Sequence, residues 1–168
     1  MLKIRSRLLA GAGAAAAAGV IAVSGAAVAA AAPHAARAAG IEQFQLMSAS
    51  ATSSTSSIIA RGVFTAGGVD HGGNKVDTAV FPGGSFKIAH SKGTGPQSFN
   101  PKTCLMTVNQ HGTYKLSGGT GKYAGISGSG KYRVSILAVA ASSGGKCVKN
   151  KPPVAFQEII KASGPVKL

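Results

Sequence analysis

The chain has 168 residues, of which 18 are Lys or Arg and only four are Asp or Glu, so its formal net charge at pH 7 is +14. No acidic residue lies between Asp77 and Glu158, which excludes a repeated calcium site there because Ca²⁺ needs several oxygen ligands. No two acids are spaced as a glycosidase pair would be. The composition therefore predicts a small basic protein without a metal or a cofactor.

The N-terminal segment, residues 1–32, has the layout of a secretory signal peptide. Lys3, Arg5 and Arg7 precede an uncharged run rich in Ala and Gly, which ends in several small-x-small sites. An uncleaved membrane anchor is the alternative, but Ala and Gly insert into membranes less readily than Leu or Ile. We therefore predict a cleaved signal peptide and a secreted chain of formal charge +11 once those three cations are removed.

The rest of the chain predicts a loose lead-in over residues 33–42 and one domain over residues 43–168. Cys104 and Cys147 are the only cysteines. They lack CxxC spacing, and an isolated pair in an exported chain most often forms a disulfide. We predict that bond, which on the chain-entropy argument stabilises the fold by about 4 kcal/mol.

Alternating and β-branched stretches separated by Gly-rich turns predict seven or eight strands and no helix. The predicted strands are residues 44–50, 57–67, 75–81, 85–90, 103–116 with Gly112 as a bulge, 131–140, and one or two strands within 154–168. Such a chain closes as a barrel or packs as a sandwich. We predict an all-β fold, a small antiparallel barrel of about eight strands, because closure removes exposed edges and the glycines suit bulges.

The stretch GTYKLSGGTGKYAGISGSGKY, residues 112–132, holds seven glycines and all three tyrosines. Gly125, Gly130 and Lys131 have Walker A spacing, but Tyr132 stands where that motif needs Ser or Thr for magnesium. The Gly-x-Gly-x-x-Ala pattern of residues 119–124 is not followed by a predicted helix, whereas a phosphate site needs a helix N-terminus. The stretch therefore predicts turns between strands and no nucleotide site.

At GGTGKYAGISGSGKY, residues 118–132, the sequence resembles the allene oxide cyclase and dirigent barrel superfamily. In that superfamily a Gly-Gly-Thr-Gly-x-aromatic stretch is followed by a turn of small residues and glycine. The resemblance implies an eight-stranded antiparallel barrel, often a homo-oligomer, with a cavity for a small apolar or aromatic molecule. It also implies that the tyrosines pack on or near the glycines.

Alternation along the strands selects a face that would line such a cavity. Its members are Met106, Val108, Tyr132, Val134, Ile136, Phe156 and Ile160, and the candidate ligand-binding residues are Glu158, Tyr132, Arg61 and Phe156. Glu158 shares the face of Phe156 and Ile160 at the two-residue period. If the face points inward, Glu158 would orient a ligand or pair with Arg61 or Arg133. If the face points outward, Glu158 is solvated.

The histidines predict little chemistry on their own. His71, His90 and His111 occur singly beside turns or strand ends, so we expect them to be solvated rather than zinc ligands. Asp70 precedes His71, which suggests a general-base pair, but adjacent residues in a strand point to opposite faces.

The function predicted from the sequence is non-catalytic binding of a small hydrophobic ligand by a secreted barrel. One alternative is a cyclase or isomerase with Glu158 or Asp77 as its acid–base group. Another is a basic surface protein held by charge on an anionic cell-wall polymer. The absence of Trp and the few arginines disfavour specific binding of nucleic acid, and spread lysines also discourage association of sheet edges.

Overall fold

The structure, a computed structural model, describes residues 38–148 and 150–168. The predicted signal peptide, residues 1–32, lies outside the described residues. In these ranges the chain forms eleven strands, β1 (Ala39–Ser48), β2 (Thr55–Arg61), β3 (Ala66–His71), β4 (Val76–Phe81), β5 (Gly84–His90), β6 (Gln97–Asn100), β7 (Leu105–Ser117), β8 (Ser127–Val139), β9 (Ala141–Ser143), β10 (Lys146–Val148) and β11 (Ala155–Lys167). β1 therefore begins inside the predicted lead-in.

Eight of these strands close into an antiparallel barrel. The ring runs through β1, β2, β3, β4, β5, β7, β8 and β11 and returns to β1. It closes where residues 87–90 of β5 pair with residues 114–117 of β7, and β11 pairs with the whole of β1. The predicted all-β fold, a small antiparallel barrel of about eight strands, is therefore confirmed.

The segment 57–67, predicted as one strand, contains parts of two strands joined by a tight turn. The chain leaves β2 at Gly62, where φ is 141°. A Cβ atom there would overlap the carbonyl oxygen of Ile41 on the neighbouring strand. The close approach of the two backbones, together with the positive φ, explains why only glycine fits this turn.

The segment GTGPQSFNP, residues 93–101, which its Gly and Pro content predicts to be a loop, contains the short strand β6. The predicted bulge at Gly112 is wrong, because the pairing of β7 with β8 runs without interruption through this position. The glycine has a different role. A Cβ atom at Gly112 would lie 2.6 Å from the ring of Tyr132, so the absence of a side chain lets that ring lie across the strand.

One end of the barrel, called here the closed end, is filled by aromatic rings. The ring centroids of Phe64 and Tyr123 lie 5.0 Å apart. Both rings also contact Phe81 and Phe86, at centroid separations of 5.6–6.3 Å. These separations lie in the favourable range for aromatic pairs, so the rings supply much of the hydrophobic core.

The Gly-rich corner between β7 and β8 carries Tyr123 into this cluster. Its helical content is a single three-residue 3₁₀ turn, Gly121–Tyr123. Thr120 exchanges hydrogen bonds with the start of β5, since its N–H donates to the Ser85 carbonyl oxygen at 2.8 Å and its hydroxyl accepts from the Ser85 N–H at 3.0 Å. The corner thus closes one end of the barrel.

At the other end, called here the open end, β7, β8 and β11 continue past the barrel as a sheet extension. β6 pairs with the first residues of β7, and β9 pairs with β10 in a hairpin. The predicted disulfide is confirmed, because Cys104 and Cys147 are bonded and tie this hairpin to the start of β7. Across residues 38–148 and 150–168, no helix has the length and apolar character needed to cross a membrane.

Candidate ligand-binding site

All four acidic side chains of the chain point into the barrel. Glu42 and Asp70 are buried, with 0% and 4% of their surface exposed, and Asp77 and Glu158 are half-buried. Strand alternation explains the placement, since each acid lies at the two-residue period from buried apolar residues, as Asp77 does from Phe81. The chain is strongly basic, yet all of its acidic side chains lie inside the barrel. This separation is the first indication of a binding site there.

Three of these acids lie at the open end. Asp70 lies near the end of β3, Asp77 near the start of β4 and Glu158 near the start of β11. The pKa of Asp70 is raised to about 7, mainly by burial; the nearby charges of Asp77 and Glu158 contribute to the rise, and His90 opposes it. The Oδ1 atom of Asp70 is buried and has no hydrogen-bond partner.

An Asp–His pair lies beside this carboxyl. His90 Nε2 is 3.4 Å from Asp77 Oδ1, which also accepts a hydrogen bond from the Gly73 N–H at 2.7 Å. The His90 ring meets the Tyr132 ring edge-on at a centroid distance of 6.4 Å. The Tyr132 hydroxyl donates to the Ser91 carbonyl oxygen at 2.8 Å, so both rings are held against the end of β5.

Glu158 lies on the far side of the open end, among apolar side chains. Its partner on the neighbouring strand β8 is Ile136. Burial, together with the charge of Asp77, raises the pKa of the Glu158 carboxyl. Val134 and Ile160 are half-buried and pack against the core. The open end therefore combines apolar walls that remain partly accessible with two carboxyls, those of Asp70 and Glu158, whose pKa values are raised.

The structure brings some of the predicted site residues together and separates others. Tyr132, Glu158 and Phe156 lie on the inner face, with Phe156 farthest out in the sheet extension. Arg61 lies exposed on the outer face of β2, and Arg133 lies exposed on the outer face of β8. The suggested pairing of Glu158 with either arginine is therefore not formed.

The pair suggested by the adjacency of Asp70 and His71 is not formed, because Asp70 is buried and His71 is exposed on the opposite face of β3, as expected for adjacent residues of a strand. The histidine that lies beside the acids is His90, which contacts Asp77, although its single occurrence near a strand end predicted a solvated side chain. The sequence did contain an indication that His90 points inward. Phe86, Ile88 and His90 follow one another at the two-residue period of an inner face.

A fourth carboxyl is buried at the closed end. Glu42 Oε2 accepts a hydrogen bond from the Phe64 N–H at 3.0 Å, and burial raises the pKa of Glu42 although backbone hydrogen bonds lower it. The other carboxyl oxygen, Glu42 Oε1, and the hydroxyl of Tyr114 are buried and have no hydrogen-bond partner. Burial, aided by the charge of Glu42, raises the pKa of Tyr114 to about 12.

In the part of the chain that the structure describes, no group of three or more His, Cys, Asp or Glu side chains is placed to hold a metal ion. A shallow groove of about 440 Å³ lies across the ends of β1, β8 and β11 at the closed end, and contains none of the acids. Comparison with known protein families, curated proteins and solved structures finds no match. The open end, where three of the four acids lie, is therefore the candidate ligand-binding site.

Proposed function

We propose that the protein is a secreted binding protein that holds a small, mainly apolar molecule at the open end of the barrel. The observation that carries the proposal is the Oδ1 atom of Asp70, a buried carboxyl oxygen without a hydrogen-bond partner that lies beside the half-buried walls of the open end. Glu42 Oε1 and the Tyr114 hydroxyl also have no partner, but they lie away from the open end. An atom in this state is destabilising, and few occur in folded proteins. A hydroxyl or an amine of a ligand would supply the missing donor.

The apolar side chains around the open end indicate that most of the surface of this ligand is apolar. Val134, Ile136 and Ile160 are neither fully buried, as core residues are, nor fully exposed. Ligand sites typically combine apolar walls with a few polar groups that fix orientation. Glu158 lies on the same inner face as these walls and would accept a second hydrogen bond from the bound molecule.

Secretion is part of the proposal. The disulfide is compatible with an extracellular location, because such bonds persist in oxidising compartments. N-terminal sequencing of the protein recovered from culture medium tests the role of residues 1–32 as a signal peptide. We expect a mature chain that starts close to residue 30, and a chain found only in cells with Met1 intact would contradict this.

A neutral fluorescent probe that brightens in apolar surroundings, Nile red, tests the binding site. Ile136→Asn should weaken probe binding about tenfold, the equivalent of about 1.4 kcal/mol, because it places an amide in the apolar wall. The matched control is Leu137→Asn, since Leu137 is the next residue of β8 and lies on the outer face, 43% exposed. Equal effects of the two substitutions, or none, would contradict the proposal. Native mass spectrometry of the secreted protein would then identify a co-purifying natural ligand.

A second candidate function is acid–base catalysis on the bound molecule. It is favoured by the Asp77–His90 pair beside a carboxyl whose pKa is about 7, since catalytic acids and bases work best when their pKa lies near the working pH. Incubation of the co-purified molecule with the protein in D₂O tests this function. Deuterium incorporation at carbon that is lost in His90→Gln would support catalysis, and no incorporation would leave binding as the function.

A further inference from the structure

The charges of the chain are separated between the inside and the outside of the barrel. Every Lys and Arg side chain that the structure describes is exposed, whereas all four acids are buried or half-buried on inner faces. The one ion pair among the described residues, Asp77 with His90, is also on the inside. The outer surface therefore carries positive charge without any carboxylate to neutralise it.

Part of this positive charge is concentrated on the outer faces of three neighbouring strands, β7, β8 and β11. Arg133 lies directly opposite His111 on one side and Lys161 on the other. Lys131 lies two residues before Arg133 on the same face, and Lys115 lies opposite Ser129. These five residues, His111, Lys115, Lys131, Arg133 and Lys161, are called here the cationic face. Like charges directly opposite each other destabilise a strand pair, so their arrangement is not explained by stability.

The spacing of the cationic face suits a flexible polymer of anions. Side chains two residues apart along a strand are separated by about 6.6 Å, and neighbouring strands by about 4.8 Å. The positions between the cations are hydroxyl residues, Thr113, Ser129 and Ser163, all exposed. Hydroxyls can bond both to phosphate oxygens and to the hydroxyls of a sugar or polyol.

We propose that the cationic face binds a linear phosphodiester polymer with a sugar or polyol backbone and no bases. Charge complementarity supports an anionic polymer. The outward positions of β7, β8 and β11 hold no Phe, Tyr or Trp, and single-stranded nucleic acid is usually bound by stacking of its bases on such rings. This binding is independent of the open end, because the cationic face lies on the other side of the barrel wall.

The test measures binding of the full protein to poly(glycerol phosphate) at several salt concentrations. The variant Arg133→Gln/Lys161→Gln removes two charges from the cationic face. The control variant Lys102→Gln/Lys151→Gln removes two charges from exposed loop positions outside it. We expect affinity at low salt to fall at least tenfold in the first variant and less than twofold in the control. The slope of log K against log salt should become shallower by about 1.4 in the first variant only, at about 0.7 per lost contact.

Circular dichroism and thermal melting serve as checks of folding, and all four substituted residues are exposed. Equal loss of affinity in both variants would overturn the proposal, because net charge alone would then explain binding. Tighter binding of an oligo(dT) with the same number of phosphates, or equal binding of polygalacturonate, would overturn the choice of a phosphodiester polymer. Binding that prefers poly(glycerol phosphate) and depends on the cationic face would support it.

Discussion

The two ends of the barrel each bury a carboxyl, and they surround it differently. At the closed end, Glu42 accepts a hydrogen bond from a backbone N–H and lies under a cluster of aromatic rings. Each of the two carboxyls also has one buried oxygen without a hydrogen-bond partner, Glu42 Oε1 and Asp70 Oδ1. At the open end, however, the charged neighbours of Asp70 include Asp77 and His90, which are themselves titratable. The comparison teaches that burial alone does not mark a binding site. Backbone partners indicate a structural role, and titratable neighbours beside half-buried walls indicate function.

The largest expected effect is at the closed end. Phe86 is fully buried and its ring contacts those of Phe44, Phe64, Phe81 and Tyr123. Phe86→Ala should lower the free energy of unfolding by about 3–5 kcal/mol, because it removes a large side chain and leaves a cavity. Urea denaturation measures the change. The control Val80→Ala, at a position 41% exposed, should cost less than about 0.5 kcal/mol. A loss below 1 kcal/mol in Phe86→Ala would show that the closed end is not the stabilising core.

The next effect concerns pH and the open end. Folding raises the pKa of Asp70 from 3.8 to about 7, so between those values the folded state keeps a proton that the unfolded state has released. Stability from this group is therefore greatest below about pH 4 and is lost as pH rises to 7 and above, by about 4 kcal/mol in all.

Urea denaturation of the wild type and of Asp70→Asn from pH 4 to pH 8 isolates this contribution, because asparagine does not titrate. The wild type should lose stability relative to the variant as pH rises. Glu42 and Glu158, whose pKa values are also raised, add a decrease of the same sign that is common to both proteins. Parallel curves for the two proteins would mean that Asp70 is not buried as described.

A smaller effect tests the structural role of Glu42. Glu42→Gln keeps a side-chain oxygen for the Phe64 N–H, whereas Glu42→Leu removes it. The Leu variant should therefore be less stable than the Gln variant by about 1–3 kcal/mol, the cost of leaving a largely buried donor unpaired. Urea denaturation compares the two directly. Nile red binding should change little in either, because the closed end is not the binding site, and a large loss of probe binding would remove the distinction between the two ends.

Much of the fold could be predicted from local patterns. The alternation in residues 131–140, the glycine-separated strands and the isolated cysteine pair were sufficient for the barrel and the disulfide. The turn at Gly62 was not predictable, because the reason for it is non-local. A Cβ there would overlap the backbone of β1, and the N–H of Phe64 after the turn is held by Glu42 on that same strand.

The candidate site was only partly predictable for a related reason. Alternation placed Glu158 and Tyr132 correctly on an inner face, since the apolar period in β8 and β11 is clear. In β2, Ile58 and Ile59 are consecutive apolar residues, so the alternation of apolar residues does not show which face of the strand points inward. Arg61 was therefore predicted on the inner face, whereas it lies on the outer face. The pairing of Asp77 with His90 depends on the register of β4 and β5, which composition does not determine.

The smallest effect comes from two tyrosines whose hydroxyls differ. The Tyr132 hydroxyl donates to the Ser91 carbonyl oxygen at the open end, whereas the buried Tyr114 hydroxyl has no partner. Tyr132→Phe should lower the free energy of unfolding by about 0.5–1.5 kcal/mol, the net value of one hydrogen bond. The loss stays small because His90 Nδ1 also lies 3.3 Å from that carbonyl oxygen. Tyr114→Phe removes a buried polar atom that gains nothing from folding, so it should be neutral or stabilising. A loss in Tyr114→Phe as large as in Tyr132→Phe would indicate that the Tyr114 hydroxyl is satisfied in solution, and the difference between the two ends would then be smaller than their geometry implies.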